Sequence, residues 1–470
     1  MIAMQDFENT VTAPTDGVKT LLGNPQKAII KLSIPMIIAL SVQTIYNIVD
    51  ALWVSGLGAD ALAAVGFFFP FFFMIMALAT GIGTGGSAAV SRMIGARDKP
   101  GADSVAAHTC VIMAIVSVLI TIPFVIFIDD IFLAMDAGAI TPVASSYARI
   151  LFAGTIIIFF ANTTSALLRG EGDVKRAMYA MLIGAGLNIV LDPIFIYTFQ
   201  MGVPGAAWAT VLSLFISALF LFYWSCIKQD TYISINFKGF RFKTDIVGEI
   251  LRVGLPVAMM QLTMSFSIFL LNIIVVKVGG TDGIAVFTTG WRVAMIAVLP
   301  LLGIATAVIS VTGAAYGARV IKKLEASYIY AIKIGVIIEL CIAAATYIFA
   351  PYITALFTQA KASARIAPDL ILFLRTMFVY YPTTAFGLSS SAMFQGAGRG
   401  INSLILTIIR TIVLAAPVAY LLAVTLNLKL PGVWWGIVTG NIIGGVAAYI
   451  WARIFIKSLL KKTPPVSSLE

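Results

Sequence analysis

The stretch "GLNIVLDPIFIY" at residues 186–197 sets an aspartate and a proline in a run otherwise suited to hydrocarbon. A carboxylate at a bilayer centre costs at least about 2.5–3.5 kcal/mol on insertion scales, so Asp192 needs a reason. Pro193 has no N–H to give and frees a carbonyl of the preceding turn. Composition places the run in a membrane. The chain of 470 residues is 60% hydrophobic and 11% charged, where soluble domains carry about a quarter charged residues. Its mean hydropathy is +1.00. Residues 1–26, with Asp6, Glu8, Asp16 and Lys19, are too polar for a signal-peptide core and read as a soluble tail. The final "SSLE" reads as a vector remnant.

A spanning helix needs about 20 apolar residues. Between charge clusters and Gly/Pro punctuation the sequence predicts twelve, at about 28–56, 62–91, 104–128, 142–168, 176–199, 206–227, 249–277, 283–314, 326–350, 369–394, 400–424 and 432–456. The second opens with "FFFPFFF" (67–73) and ends in "ATGIGTGGSAA" (79–89), whose small residues permit close helix approach. Most of the 31 Lys and Arg fall in alternate loops, from Lys19, Lys27 and Lys31 through Arg92, Arg97 and Lys99 to Lys461 and Lys462. The opposite loops hold only Lys277, Lys361, Arg365 and Lys429, beside Asp129, Asp130 and Asp136. The positive-inside rule therefore puts both termini in the cytoplasm of a multi-pass cell-membrane protein. The net charge of +10 is then topology and attraction to lipid headgroups, and a nucleic-acid partner loses its motivation.

The second half repeats the first. "KLSIPMIIALSVQ" (31–43) answers to "RVGLPVAMMQLTM" (252–264), and "SRMIGARDKPGA" (91–102) to "AAYGARVIKKLE" (314–325). "SALLRGEGD" (165–173) answers to "SAMFQGAGR" (391–399), and "VPGAAWAT" (203–210) to "LPGVWWGI" (430–437). Four matches in one order mark an internal repeat. Six spans per unit is an even number, so the units share one orientation about an axis along the membrane normal. This predicts an all-α membrane protein: tail 1–26, N-lobe 27–227, cytoplasmic linker 228–247, C-lobe 248–457 and tail 458–470.

Twelve spans in two parallel lobes, "GARDK" after the second span, "LRGEGD" after the fourth and "GLNIVLDPIFIY" in the fifth resemble the multidrug and toxic compound extrusion (MATE) transporters. The resemblance runs from about residue 20 to 460. It implies alternating access with export of organic, often cationic, compounds against protons or sodium, without a cofactor. The chain is expected to act as a monomer among membrane lipids.

Three acids lie within the spans: Asp50, Asp192 and Glu339. At 1.5 Å per residue, Asp50 stands roughly 9 Å inside the outer end of span one and Asp192 roughly 12 Å inside that of span five. Tyr147 and Thr210 enter at roughly 8 Å in spans four and six. Helical spacing stacks Asn188 beneath Asp192, and Gln43 and Asn47 beneath Asp50. Two carboxylates in a low-dielectric cavity resist simultaneous ionisation, which suits a proton carrier. Equally, Asp50, Asn188, Asp192 and Thr210 offer the hard oxygens that sodium prefers. The resemblance to the DinF-like branch implies that these four form a cation site in the N-lobe, with Tyr147 and Asn162 as neighbours. Pro35, deep in span one, is a candidate hinge.

The bland readings are helix glue for the polar residues, and an outward-facing, lipid-rim or amide-paired position for Glu339. Arg292 and Arg410 read by default as snorkelling or bracing cations. "FFFPFFF", Met74 and Met76 are candidates for an adaptable apolar chamber. In the C-lobe the Asp50 position falls near Leu271 and the Asp192 position near Ala416, and no acid replaces either. A lipid or lipid-linked oligosaccharide flippase is the rival transporter reading, although its cavity would call for more cations. A membrane enzyme lacks its residues: the single His108 forms no HExxH, nucleophile–His–acid set or metal cluster. Cys110, Cys226 and Cys341 show no paired spacing.

Overall fold

The computed structural model describes residues 15–228, 230–235, 237, 239–359 and 364–462, which form helices and connecting segments with no strand. The tail segments 1–14 and 463–470, together with Gln229, Lys238 and Lys361, lie outside the described residues. Ten described helices are long and apolar enough to cross a membrane, and a bent pair, Gly138–Ala153 with Thr155–Gly170, supplies an eleventh. Thr244–Ala297 holds Gly280 at φ 57°, a corner that makes it two spans. The second of these continues past Val298 into Leu299–Gly317. Ala367–Gly396, with 30 residues, is long enough at about 45 Å to cross a core of about 30 Å, although its Ser and Thr lower its hydropathy. The spans are therefore twelve, in two lobes.

Local sequence explains where these helices depart from straight rods. The expected fourth span bends by 47° at Gly154, where a side chain would meet Val211 Cγ2 of the sixth span at 2.6 Å. The fifth span runs as an α-helix to Pro193 and relaxes into a π-helix over Ile194–Thr198. The eleventh, with a proline of its own at Pro417, is π-helical over Ile409–Ala415 and Leu421–Thr425. Wider turns absorb a proline's missing donor and its ring. Pro35 is buried within Pro25–Ser55, which passes through it as one helix.

The lobes meet along the second and seventh spans, through the small residues expected in "ATGIGTGGSAA". A Cβ at Gly85 would lie 2.3 Å from the Ile250 carbonyl, so the backbones touch there. Near the basic ends, buried Arg92 donates to Glu249 Oε1 at 2.9 and 3.0 Å and to the Gly396 carbonyl at 3.2 Å. All three bonds cross between lobes. Ser310 Oγ donates to the Arg169 carbonyl at 2.8 Å, and a Cβ at Gly317 would fall 1.9 Å from the Arg92 carbonyl. The inter-lobe hydrogen bonds among the described residues thus gather on the basic side.

The linker is pinned to the same side. Fully buried Glu171, from "LRGEGD", accepts Ile233 N–H at 2.8 Å, while Asp103 accepts Ser234 N–H at 2.7 Å. Arg176 donates to Asp230 at 2.7 Å, and His108 Nε2 accepts Lys243 N–H at 2.8 Å. His108 is therefore a linker anchor, which accounts for its place near a helix end. Burial pushes the Glu171 carboxyl up to about 8, against a partial pull downward from the Ile233 bond.

Two outcomes are expected. Gly317→Ala should destabilise the protein by about 1–3 kcal/mol through overpacking, read as a lowered melting temperature in detergent. Gly66→Ala, with nothing within 4 Å of its Cβ, should not. Because Glu171 holds its proton more tightly folded than unfolded, its stabilising share is complete below the unfolded value of 4.5 and is lost as pH rises through about 8. Amide protection at Ile233 and Ser234, corrected for intrinsic exchange, should therefore fall between neutral and mildly alkaline pH. Glu171→Gln should abolish that pH dependence.

Candidate functional site

The polar residues singled out in the first lobe do converge. Asp192 is fully buried and Asn188 is 2% exposed. Asn188 donates its amide N–H to Asp192 Oδ2 at 2.8 Å and accepts Thr210 N–H at 3.2 Å. Thr210 Oγ1 donates to the Ala206 carbonyl of its own helix at 3.0 Å. The half-buried Asp50 brings its carboxyl within hydrogen-bonding range of Asp192. Tyr46, one helical turn before Asp50, faces the same cavity as Thr210 and lies within electrostatic reach of both acids. Tyr147, packed edge to face on Phe68, lies within electrostatic reach of both acids.

Below this cluster, towards the basic side, opens a cavity of about 300 Å³ in the first lobe, with Thr306 of the second lobe also on its wall. Gln43, Tyr46, Asn162, Asn188 and Thr210 are on its wall. Asn162 also donates to the Ile158 carbonyl at 3.1 Å. The acids stand behind Asn188 and Thr210, at the end remote from the basic loops. Arg169 lines the other end, so the chamber is polarised along the membrane normal.

Chemically the cluster offers two carboxyl groups, one amide and hydroxyls around one point. Two carboxyls in contact share a proton readily. The same oxygens form a hard-donor set that fits sodium, provided the Asn188 amide turns its oxygen, now facing Thr210, towards Asp192. Among the described residues, no group of three or more His, Cys, Asp or Glu is placed to hold a metal ion.

Other expectations need correction. Asn47 is exposed and takes no part in the cavity wall, because the residue stacked beneath Asp50 is Tyr46. Of the chamber candidates only Met76 lines the cavity. Phe68 is locked against Tyr147 and Phe152, Met74 packs in the core, and Phe69, Phe72 and Phe73 are exposed on the outside. Glu339 is not at the lipid rim: it is fully buried, and both its oxygens lack a hydrogen-bond partner. It shares its helix's buried face with Gly335, Ala343 and Thr346, a spacing of three and four that fixes its direction inward. Arg149, which at two residues from Tyr147 need not face the acids, pairs with Asp129.

Sequence reasoning missed Tyr46 and Arg169. The i, i+4 relation to Asp50 was the available signal for the first. The second was hidden by its reading as a loop charge.

Comparison with known proteins agrees with this architecture. The multidrug export protein MepA of Staphylococcus aureus (strain NCTC 8325 / PS 47) is 26% identical over 90% of this chain and 92% of its own. A solved structure described as MATE in the straight conformation is 51% identical, covers 96% of this chain and 100% of its own, and superposes with a TM-score of 0.92. A second, described as MATE in the bent conformation, is 50% identical over 95% of this chain and 99% of its own, with a TM-score of 0.90. The MatE family model matches residues 35–194 and again 256–421, once in each lobe. The duplicated six-span lobes and these matches together place the chain in the MatE family.

Proposed function

We propose that this protein is a secondary active exporter of organic, often cationic, amphipathic compounds, driven by protons or sodium exchanged at Asp50 and Asp192. The observation that carries the reading is the buried acid pair at one end of an apolar-walled chamber. A carboxyl pair in a membrane interior persists where it does work, and reversible loading with a cation is the work its geometry suits. Asn188 presents an N–H to Asp192, an arrangement complete with a proton on the pair. Turning that amide would accommodate sodium, so one site serves either ion. The absence of acids at Leu271 and Ala416 supports coupling confined to the first lobe.

The positive-inside rule orients the basic side, with both termini, to the cytoplasm of the cell membrane. The inter-lobe seal formed by Arg92, Glu249 and Gly396 then closes the cytoplasmic side. Cation loading from outside alters span one, for which Pro35 is the hinge, and disfavours bound substrate. Discharge inside resets the cycle, since each ligand has a different affinity for the two states. Bent and straight conformations of a relative support a hinged element in this fold. A chamber of about 300 Å³ suits a small organic molecule and is small for a lipid-linked oligosaccharide.

The test is reconstitution in proteoliposomes with separately imposed proton and sodium gradients, following ethidium accumulation. The native chain should respond to at least one gradient. Asp50→Asn and Asp192→Asn should reduce the response to background, Tyr46→Phe should weaken it, and Asn47→Ala should leave it unchanged. Full gradient-driven transport by both Asp variants would overturn the site assignment. Failure of either gradient to drive the native chain would overturn antiport itself.

A further inference from the structure

Arg410 lies in the eleventh span, ten residues beyond the start of that span at Gly400. Ten residues of helix carry it about 15 Å into the membrane, too deep for its side chain to snorkel out. The helices are shaped to hold it. A Cβ at Gly444 would lie 2.7 Å from Arg410 Cβ and Cγ, and one at Gly387 would lie 3.2 Å from Nη1, so two glycines form the slot. Nη1 donates to Asn441 Oδ1 at 3.3 Å. Asn441 is 3% exposed and is itself fixed by donating to Thr383 Oγ1 at 2.8 Å, Thr384 Oγ1 at 3.0 Å and the Tyr380 carbonyl at 3.1 Å. A guanidinium has five N–H donors in a planar fork. No described carboxylate forms an ion pair with this one, and Glu339, the acid buried in the same lobe, makes no hydrogen bond to it. Two other cations of this lobe's spans are differently occupied: Arg375 stacks over Tyr347 and Lys277 over Tyr420.

The internal repeat identifies what this place is. Aligning Ser165 with Ser391 puts Gly184 on Arg410 and Ala161 on Gly387. Aligning Pro204 with Pro431 puts Leu214 on Asn441 and Ser217 on Gly444. Gly184, Ala161, Leu214 and Ser217 all line the chamber of the first lobe. The packing agrees, because Gly184 faces Ser217 in the first lobe as Arg410 faces Gly444 in the second. The second lobe therefore carries a guanidinium at the position where the first lobe's chamber wall has only a glycine.

We propose that Arg410, with Asn441 as its orienting partner, is an anion subsite of the second lobe that takes the carboxylate or phosphate group of an amphipathic molecule. An arginine fork held at membrane depth with no described carboxylate in ion-pair contact matches an oxyanion in shape and charge, and hydrocarbon around it strengthens the pair. The two lobes then present opposite polarity: acids in the first, a cation in the second.

The test is direct binding to the purified full-length protein, measured with dansylundecanoic acid and with its uncharged methyl ester. The native chain should bind the acid about tenfold more tightly than the ester. Arg410→Gln should remove the difference while leaving ester affinity intact, and Arg410→Lys, which keeps charge without the fork, should retain part of it. Asn441→Asp should remove the preference too, by supplying an internal counter-ion. If Arg410→Gln does not fold, the Lys and Asp variants decide. Repeating the titrations in nanodiscs of phosphatidylcholine, with and without phosphatidylglycerol, separates the sources. Competition by phosphatidylglycerol in the native chain alone assigns the subsite to lipid headgroups, and its absence assigns it to free amphipathic anions. An acid preference that survives in Arg410→Gln and Asn441→Asp, or that is absent from the native chain, overturns the proposal.

Discussion

Two carboxyl groups held in contact inside a membrane cannot both be charged without a cation between them, and much of the first lobe is arranged around that constraint. Asn188 satisfies one oxygen of Asp192, Tyr46 and Thr210 complete the polar ring, and Asn188 and Thr210 divide the acids from the chamber. Pro193 ends the α-helix one residue after Asp192 and hands it to a π-helical turn. Irregular backbone at membrane depth is tolerated only where it is buried in protein or lines a cavity.

The two lobes show what one scaffold does with different fillings. The eleventh span has a proline and wide turns as the fifth does, but carries Arg410 where the fifth has Gly184 and no acid near the position of Asp192. Conformational freedom between lobes depends on features neither lobe owns alone. Small residues let the second and seventh spans touch backbone to backbone, and the Arg92–Glu249 pair closes the basic side. A partly buried pair of this kind costs desolvation and is weak evidence for stability. It is better suited to holding one state that can be left.

The sequence made the lobes, the repeat and the acid pair legible because each rests on long-range regularities: hydropathy runs, loop charge and matching motifs. Asp50, Asn188, Asp192 and Thr210 could be grouped from depth alone, since helix rise converts residue number into height. Direction around each helix was less legible. Asn47 was placed beneath Asp50 by a spacing of three, whereas the spacing of four to Tyr46 is the one the side chains follow. Glu339 read as peripheral because its inward face is written in small residues, Gly335 and Ala343, that carry little signal on their own. The bend at Gly154 depends on Val211 of another span, which no local pattern reports.

The central claim is that the Asp50–Asp192 pair gives up its cation when substrate binds. Proton release can be measured with a pH indicator while ethidium is added to the purified protein in weakly buffered, sodium-free detergent solution. By reciprocal linkage the native chain should release about one proton per dye bound, with the release suppressed by prior sodium loading. Asp192→Asn should bind dye and release none. Dye binding with no proton released by the native chain, or equal release from Asp192→Asn, would contradict the account.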